Sequence, residues 1–187
     1  MKKTLAAAAL VCFAAALVVT GLQAAGIKSG PQVGEKVPGP FHPLNINGEK
    51  AGEKNCLYCS NGSNPVAMVF ARECSEPLAK LIKKIDETTV KNKDAKMGSF
   101  VVFCNDDEGL KEKLTKVAKD ENLKETILAI DNPAGPQKYN VSKDADVTIV
   151  LYVDHEVKAN HSFKKGELTE KDIETVLNDV SKILPSK

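Results

Sequence analysis

The sequence holds no tryptophan, aromatic residues make up 5% of it, and every basic side chain except Arg72 is a lysine. With 26 basic against 25 acidic residues the chain carries a formal charge of +1, and acidic side chains alternate with the lysines along its polar stretches. No basic patch with interleaved aromatics results, so nucleic acid is excluded as an expected partner. Also missing are internal repeats, a serine–histidine–acid set and a phosphate-cradling glycine loop opening a helix. No proline lies between Pro136 and Pro185, and no second long apolar run follows the first.

That first run stretches from Leu5 to Val19, behind Lys2 and Lys3 and ahead of the small residues Ala24 and Ala25. A basic start, a short apolar stretch and small residues form the pattern of a secretory signal peptide. About 15 apolar residues are too few to span a bilayer comfortably. The expectation is a signal peptide over residues 1–25, cleaved near Ala24 or Ala25, and an exported product with no integral membrane segment. Cys12 sits inside the run without the small-residue context that lipidation needs. The remainder of the 187 residues suits one domain with a respectable core.

Export makes oxidation of Cys56, Cys59, Cys74 and Cys104 possible, and four cysteines allow three full pairings. Cys56-Leu57-Tyr58-Cys59 has the spacing that redox exchange uses. It lies in a Gly/Asn/Ser-rich stretch read as an exposed loop ahead of the first apolar strand, and a static disulfide fits the same spacing. Ser60 follows Cys59 where covalent haem would need histidine. Four thiolates around zinc would need a second close pair, and Cys74 and Cys104 are far apart in sequence. His42, His155 and His161 are scattered, with a weak copper or zinc reading for the latter two across a hairpin. No cofactor and no metal is expected.

Residues 26–40 are rich in Gly and Pro and read as an extended leader to a domain over 41–187. "FHPLNI" (41–46) fits an edge strand, because Pro43 cannot donate to a central ladder. "PVAMVFA" (65–71) is continuously apolar, as a strand buried on both faces requires. A helix follows from Ser75, a good N-cap, with Glu76 and Pro77 in its first turn and an apolar face of Leu78, Leu81, Ile82 and Ile85. "SFVVFC" (99–104) is a second buried strand. A helix over "DDEGLKEKLTKVAKDENL" and a third strand, "TILAID" (126–131), come next. Strands at 146–154 and 157–163 with a turn at His155-Glu156 make a hairpin. A final helix capped by Thr169 carries Ile173, Val176, Leu177 and Val180. The βαβ half predicts parallel strands and the hairpin adds antiparallel ones, so the fold class is α/β with a central mixed sheet flanked by helices.

This order, with the lead-in "VGEKVPGPFHPLNINGE", resembles the thioredoxin-like superfamily, in its alkyl hydroperoxide reductase/thiol-specific antioxidant branch. The resemblance covers roughly residues 33–184 and implies a single thioredoxin-like domain. It also implies that Cys74, just after the first central strand and at the start of a helix, occupies the nucleophile position. A thiolate there is favoured by free amide groups, and Arg72 would help. The chain departs from the family's pattern at several points. Pro77 stands where reductases have a second Cys, and Glu73, where Trp is common, would raise the thiol pKa. The Pro and Thr that precede a peroxide-reactive Cys are missing. "DADVT" stands where the family has a cis-proline.

Cys56 and Cys59 lie at one end of "PVAMVFA" and Cys74 at the other, and a strand of that length spans about 23 Å. Cys104, ending the neighbouring parallel strand, emerges at the same sheet edge as Cys74, so a Cys74–Cys104 bond and two inert thiols are both open. The sequence therefore predicts an exported thiol–disulfide exchange protein using Cys56 and Cys59 on protein thiols and disulfides. Two alternatives stand beside it: a non-catalytic binding or structural module, and a one-Cys peroxidase using Cys74.

Overall fold

A computed structural model describes residues 27–185. The expected signal peptide falls outside these residues. A single six-stranded sheet runs in the order β1-β4-β3-β2-β5-β6. Its centre is β2 (Val66–Ala71), every residue of which is buried. Parallel to it runs β3 (Gly98–Cys104), and β4 (Ile127–Asp131) is parallel to β3. On the other side β5 (Val147–Val153) and β6 (Glu156–Phe163) form the expected antiparallel hairpin. The edge strand at "FHPLNI" shrinks to β1 (Leu44–Asn45), antiparallel to β4, since Pro43 stops it from extending backwards.

Alternation along β2 sends side chains to two different interiors. Ala67, Val69 and Ala71 face the helices α2 (Glu76–Lys91), α3 (Leu110–Asp120) and α4 (Glu170–Asp179), through Leu78, Leu81, Ile82, Leu114, Ile173 and Val176. Val66, Met68 and Phe70 face the opposite layer, which has no long helix. It is built from Val37, Phe41, Tyr139 and Leu57, the last on the short helix α1 (Leu57–Asn61). Phe41 lies 4.9 Å and Phe70 5.6 Å from Tyr139, both edge-on, the arrangement that aromatic quadrupoles favour.

The segment before Phe41 packs on this second layer. Ser29 is 1% exposed; its hydroxyl accepts from the Thr148 hydroxyl at 2.7 Å and from the Ser142 amide at 2.9 Å. Further along, the Gly34 amide donates to the Val157 carbonyl at 2.9 Å, the Val157 amide to the Glu35 carbonyl at 3.0 Å, and the Val37 amide to the His155 carbonyl at 2.8 Å.

Three local expectations shift. Helix α3 begins at Leu110, because the Asp107 amide turns back to the Asn105 side chain at 2.8 Å and occupies the acidic run in a turn. The hairpin turns at Asp154-His155, one residue earlier than expected, with both at positive φ (52° and 61°), as a type I′ turn requires. The stretch around Cys56 and Cys59, expected to be loop, contains α1. Ser75 and Thr169 cap α2 and α4 as expected, Thr169 in a reciprocal capping box with Asp172.

Candidate functional site

Helix α1 is too short to show apolar periodicity, so side-chain chemistry has to hold it. Cys56 is its N-cap: the Cys59 amide donates to Cys56 Sγ at 3.1 Å. Ser60 Oγ donates to the Cys56 carbonyl at 3.0 Å, and Asn61 Nδ2 to the Leu57 carbonyl at 2.7 Å. Gly62 closes the helix at a φ of 53°. Leu57, 3% exposed, is the apolar plug that seats the helix on the sheet. Beneath the far end, Asn61 lies so close to Gly98 that a Cβ there would come within 1.8 Å of Asn61 Oδ1. Only glycine leaves that space open.

Cys56 and Cys59 are joined in a disulfide with their Cα atoms 5.2 Å apart. Their surroundings differ sharply: Cys56 is buried, 8% exposed, whereas Cys59 is open to solvent. Between them, Tyr58 lays its ring against His155, the hairpin-turn residue, with centroids 4.8 Å apart. The His155 Nδ1 is buried and has no hydrogen-bond partner among the described residues. Neither Tyr58 nor His155 stands out in the sequence as part of the site. The signal was an Asp-His pair at a turn where Asp-Gly is the common choice.

Cys74 sits beyond the opposite end of β2, just before the Ser75 cap, and is free and half-buried. It borders a cleft of about 260 Å³ lined by Glu73, Asn105, Asp107, Leu110 and Lys113. Burial pushes its thiol above the usual cysteine range, with the Lys113 charge opposing. The two neighbours expected to act on it point elsewhere. The Arg72 guanidinium donates to the carbonyls of Cys104 (3.3 Å), Ser142 (3.1 Å) and Pro133, tying three segments together. The Glu73 carboxylate bonds Lys165 at 2.7 and 2.9 Å, and that partner holds it below its usual value.

The Cys74–Cys104 bond is not formed; both thiols are free. The reason is the pleat. Phe103 and Cys104 are consecutive on β3, so Phe103 joins the helix-side interior while Cys104 faces the aromatic layer. Cys74 packs on the helix side. The two sulfurs thus share an edge of the sheet but not a face. Burial pushes the Cys104 thiol up to about 12, with Arg72 opposing and Asp131 adding to the rise.

The two hairpin histidines do not converge: His161 Nε2 meets Asp179 at 3.0 Å, while His155 stacks on Tyr58. Among the described residues no group of three or more His, Cys, Asp or Glu is placed to hold a metal ion, and no helix is long and apolar enough to cross a membrane. No peptide bond among them is cis, those of "DADVT" (144–148) included, where the resemblance calls for cis-proline; within that stretch burial raises the Asp146 carboxyl.

No protein-family model matches the chain, and no curated protein matches it in sequence. Solved structures do. A candidate protein disulfide isomerase from Bacteroides thetaiotaomicron superposes with a TM-score of 0.63 at 17% identity, covering 84% of this chain and 94% of its own. A candidate thiol:disulfide interchange protein DsbE from Chlorobium tepidum gives 0.59 at 16%, covering 86% and 100%. Peroxidoxin BcpB from Mycobacterium tuberculosis gives 0.55 at 13%, covering 85% and 99%. At these identities the likeness speaks of architecture, and the chain has the thioredoxin-like fold shared by thiol–disulfide oxidoreductases and peroxiredoxins.

Proposed function

We propose that this chain is an exported thiol–disulfide exchange protein that works through Cys56 and Cys59 on the thiols of other proteins. The observation that carries the reading is the asymmetry of the pair: an exposed Cys59 bonded to a buried Cys56. A visiting thiolate reaches Cys59 far more readily than Cys56. Its attack on Cys59 Sγ forms a mixed disulfide and breaks the Cys56–Cys59 bond. Cys56 leaves with the electron pair, as a thiolate that keeps the Cys59 amide as donor and then takes a proton from solvent. A second thiolate of the same partner then attacks its own sulfur in the mixed disulfide and expels Cys59. The partner dithiol is oxidised by two electrons and the pair is reduced. In the reverse direction Cys59 attacks a partner's disulfide and Cys56 resolves the intermediate.

Single-cysteine variants test this directly. Cys56→Ser keeps the exposed thiol and should accumulate a mixed disulfide with a model protein disulfide on non-reducing gels, whereas Cys59→Ser should not. Equal trapping by both, or by neither, would overturn the reading. The burial of Cys56 favours a second reading, a static staple in a non-catalytic module. A reduction potential of roughly −120 to −270 mV supports exchange, and one below about −300 mV supports the staple.

Cys74 stays outside the mechanism, because burial moves its thiol away from the thiolate that peroxide chemistry needs. The export half of the proposal rests on the pattern of residues 1–25 and on a disulfide that an oxidising compartment would preserve. An N-terminus found at residue 25 or 26 in the exported protein supports it; an intact Met1 in a cytosolic product sinks it.

A further inference from the structure

We infer that His155 is a positioning residue for the Cys56–Cys59 pair, holding the Cys-Leu-Tyr-Cys turn in its closed shape after the disulfide opens. The inference rests on the exchange reading above and deepens it. In the oxidised protein the disulfide itself ties Cys56 to Cys59. In the reduced protein three packing contacts still seat α1 on its surroundings: Leu57 in the aromatic layer, Asn61 over Gly98, and Tyr58 stacked on His155. Of these, Leu57 and Tyr58 both lie between the two cysteines in sequence, and Tyr58 is the one that adjoins the exposed Cys59.

His155 is an odd occupant for its position if the turn alone mattered. Its φ of 61° is one that glycine or asparagine adopts with less strain, and Asp154 before it completes a pair that ordinarily ends in glycine. The ring does not repay this by hydrogen bonding through Nδ1, which is buried without a partner among the described residues. Its evident contact is the face of Tyr58, at 4.8 Å and a 33° tilt. The base under the ring is firm: the His155 carbonyl accepts from the Val37 amide, and the Asp154 amide donates to the Ser63 carbonyl just after α1. A ring fixed in this way restricts the reduced turn in advance, so less freedom is lost when Cys56 returns to Cys59. Ring closure is then more favourable than in an unsupported turn.

The test is the closure equilibrium of the pair in dithiothreitol redox buffers, with thiols counted by mass after alkylation. Wild type is compared with His155→Gly, His155→Asn and His155→Phe. Glycine and asparagine suit the positive φ, and the strain they relieve offsets part of the stack they lose, so their oxidised forms should melt within a few degrees of wild type. Their closure constants should nevertheless fall by about threefold to tenfold, the range an aromatic contact is worth. Phenylalanine restores the stack and should return the constant to within about twofold of wild type. Closure constants for glycine and asparagine equal to wild type would overturn the inference, as would a phenylalanine variant no better than glycine. A wild type that closes normally with dithiothreitol yet exchanges with no protein dithiol would sink the exchange reading instead, and leave this comparison readable.

Discussion

The two ends of β2 carry the same element in opposite conditions. At one end Cys59 stands exposed on a short helix, already bonded to its neighbour. At the other, where the fold's resemblance puts the nucleophile, Cys74 is alone, half-buried and pushed toward the neutral thiol. A six-residue strand keeps them about 20 Å apart. Position in a fold therefore does not confer chemistry: the Cys74 end has the helix cap and the Lys113 charge but neither a bonded second sulfur nor the cis-proline, and burial outweighs the lysine. Arg72, the one arginine, is committed to holding three carbonyls beside it.

The sharpest break of this contrast compares cysteine variants under one assay. Cys59→Ser should drop disulfide exchange with a model protein to the uncatalysed background, while Cys74→Ser should stay within about twofold of wild type, since nothing in the proposed steps touches it. If the losses came out the other way round, the reactive end would be the one the family resemblance names.

Next in size is Arg72→Ala. Its guanidinium satisfies the carbonyls of Cys104, Pro133 and Ser142, and hydrogen bonds to charged groups contribute about 1.5–3 kcal/mol each in favourable cases. Water can reach part of the gap, so a loss of about 3 kcal/mol in urea unfolding is expected, rather than the full sum. Exchange at Cys59 should be unaffected below the unfolding transition. A variant that unfolds like wild type would remove Arg72 from its place as the tie of that end.

Much of the frame was legible from residue order alone. The continuous apolar runs "PVAMVFA" and "SFVVFC" could only be doubly covered strands, and Ser75 and Thr169 announced their helices through the chemistry of their caps. The site was less so. Helix α1 has five residues, too few for a 3.6-residue period, and it exists because Cys56 Sγ accepts from the Cys59 amide, Asn61 donates to the Leu57 carbonyl, and Leu57 finds the aromatic layer that the fold brings to it. Strand alternation was visible in principle and would have sent Cys104 away from Cys74, but the face that Cys74 joins depends on how α2 docks. His155 carried its signal in a backbone angle, which no residue letter displays.

Alkali separates the buried thiol from the rest of the same end. Burial raises the Cys104 thiol from 9.0 to about 12 in the folded protein, while the unfolded chain keeps the ordinary value. Below the ordinary value both states hold the proton and the shift costs nothing. Between the two values the unfolded state ionises and the folded state does not, so stability falls as pH rises, by about 1.4 kcal/mol per pH unit. Tyr139 and Tyr152, also raised by burial, add to the loss above the ordinary tyrosine range. Urea unfolding of Cys104→Ala between pH 9 and 10 should show a slope shallower than wild type by the cysteine's share. Parallel slopes would mean that the thiol meets solvent in the folded protein.

The smallest effect is expected at the other end, from Gly98→Ala. The new Cβ meets Asn61 Oδ1, the tip of a side chain, so Asn61 rotates away and its bond to the Leu57 carbonyl is lost. One neutral hydrogen bond contributes about 1 kcal/mol, partly offset by the stiffer unfolded chain that alanine brings. Stability should fall by about 0.5–1 kcal/mol. The more telling readout is local: with one of its three supports gone, α1 should open more often, and amide hydrogen exchange at Cys59 and Ser60 should quicken while β2 stays protected. Unchanged exchange at those two amides would mean that Leu57 and the Tyr58–His155 stack hold the Cys56–Cys59 turn without help from the sheet below.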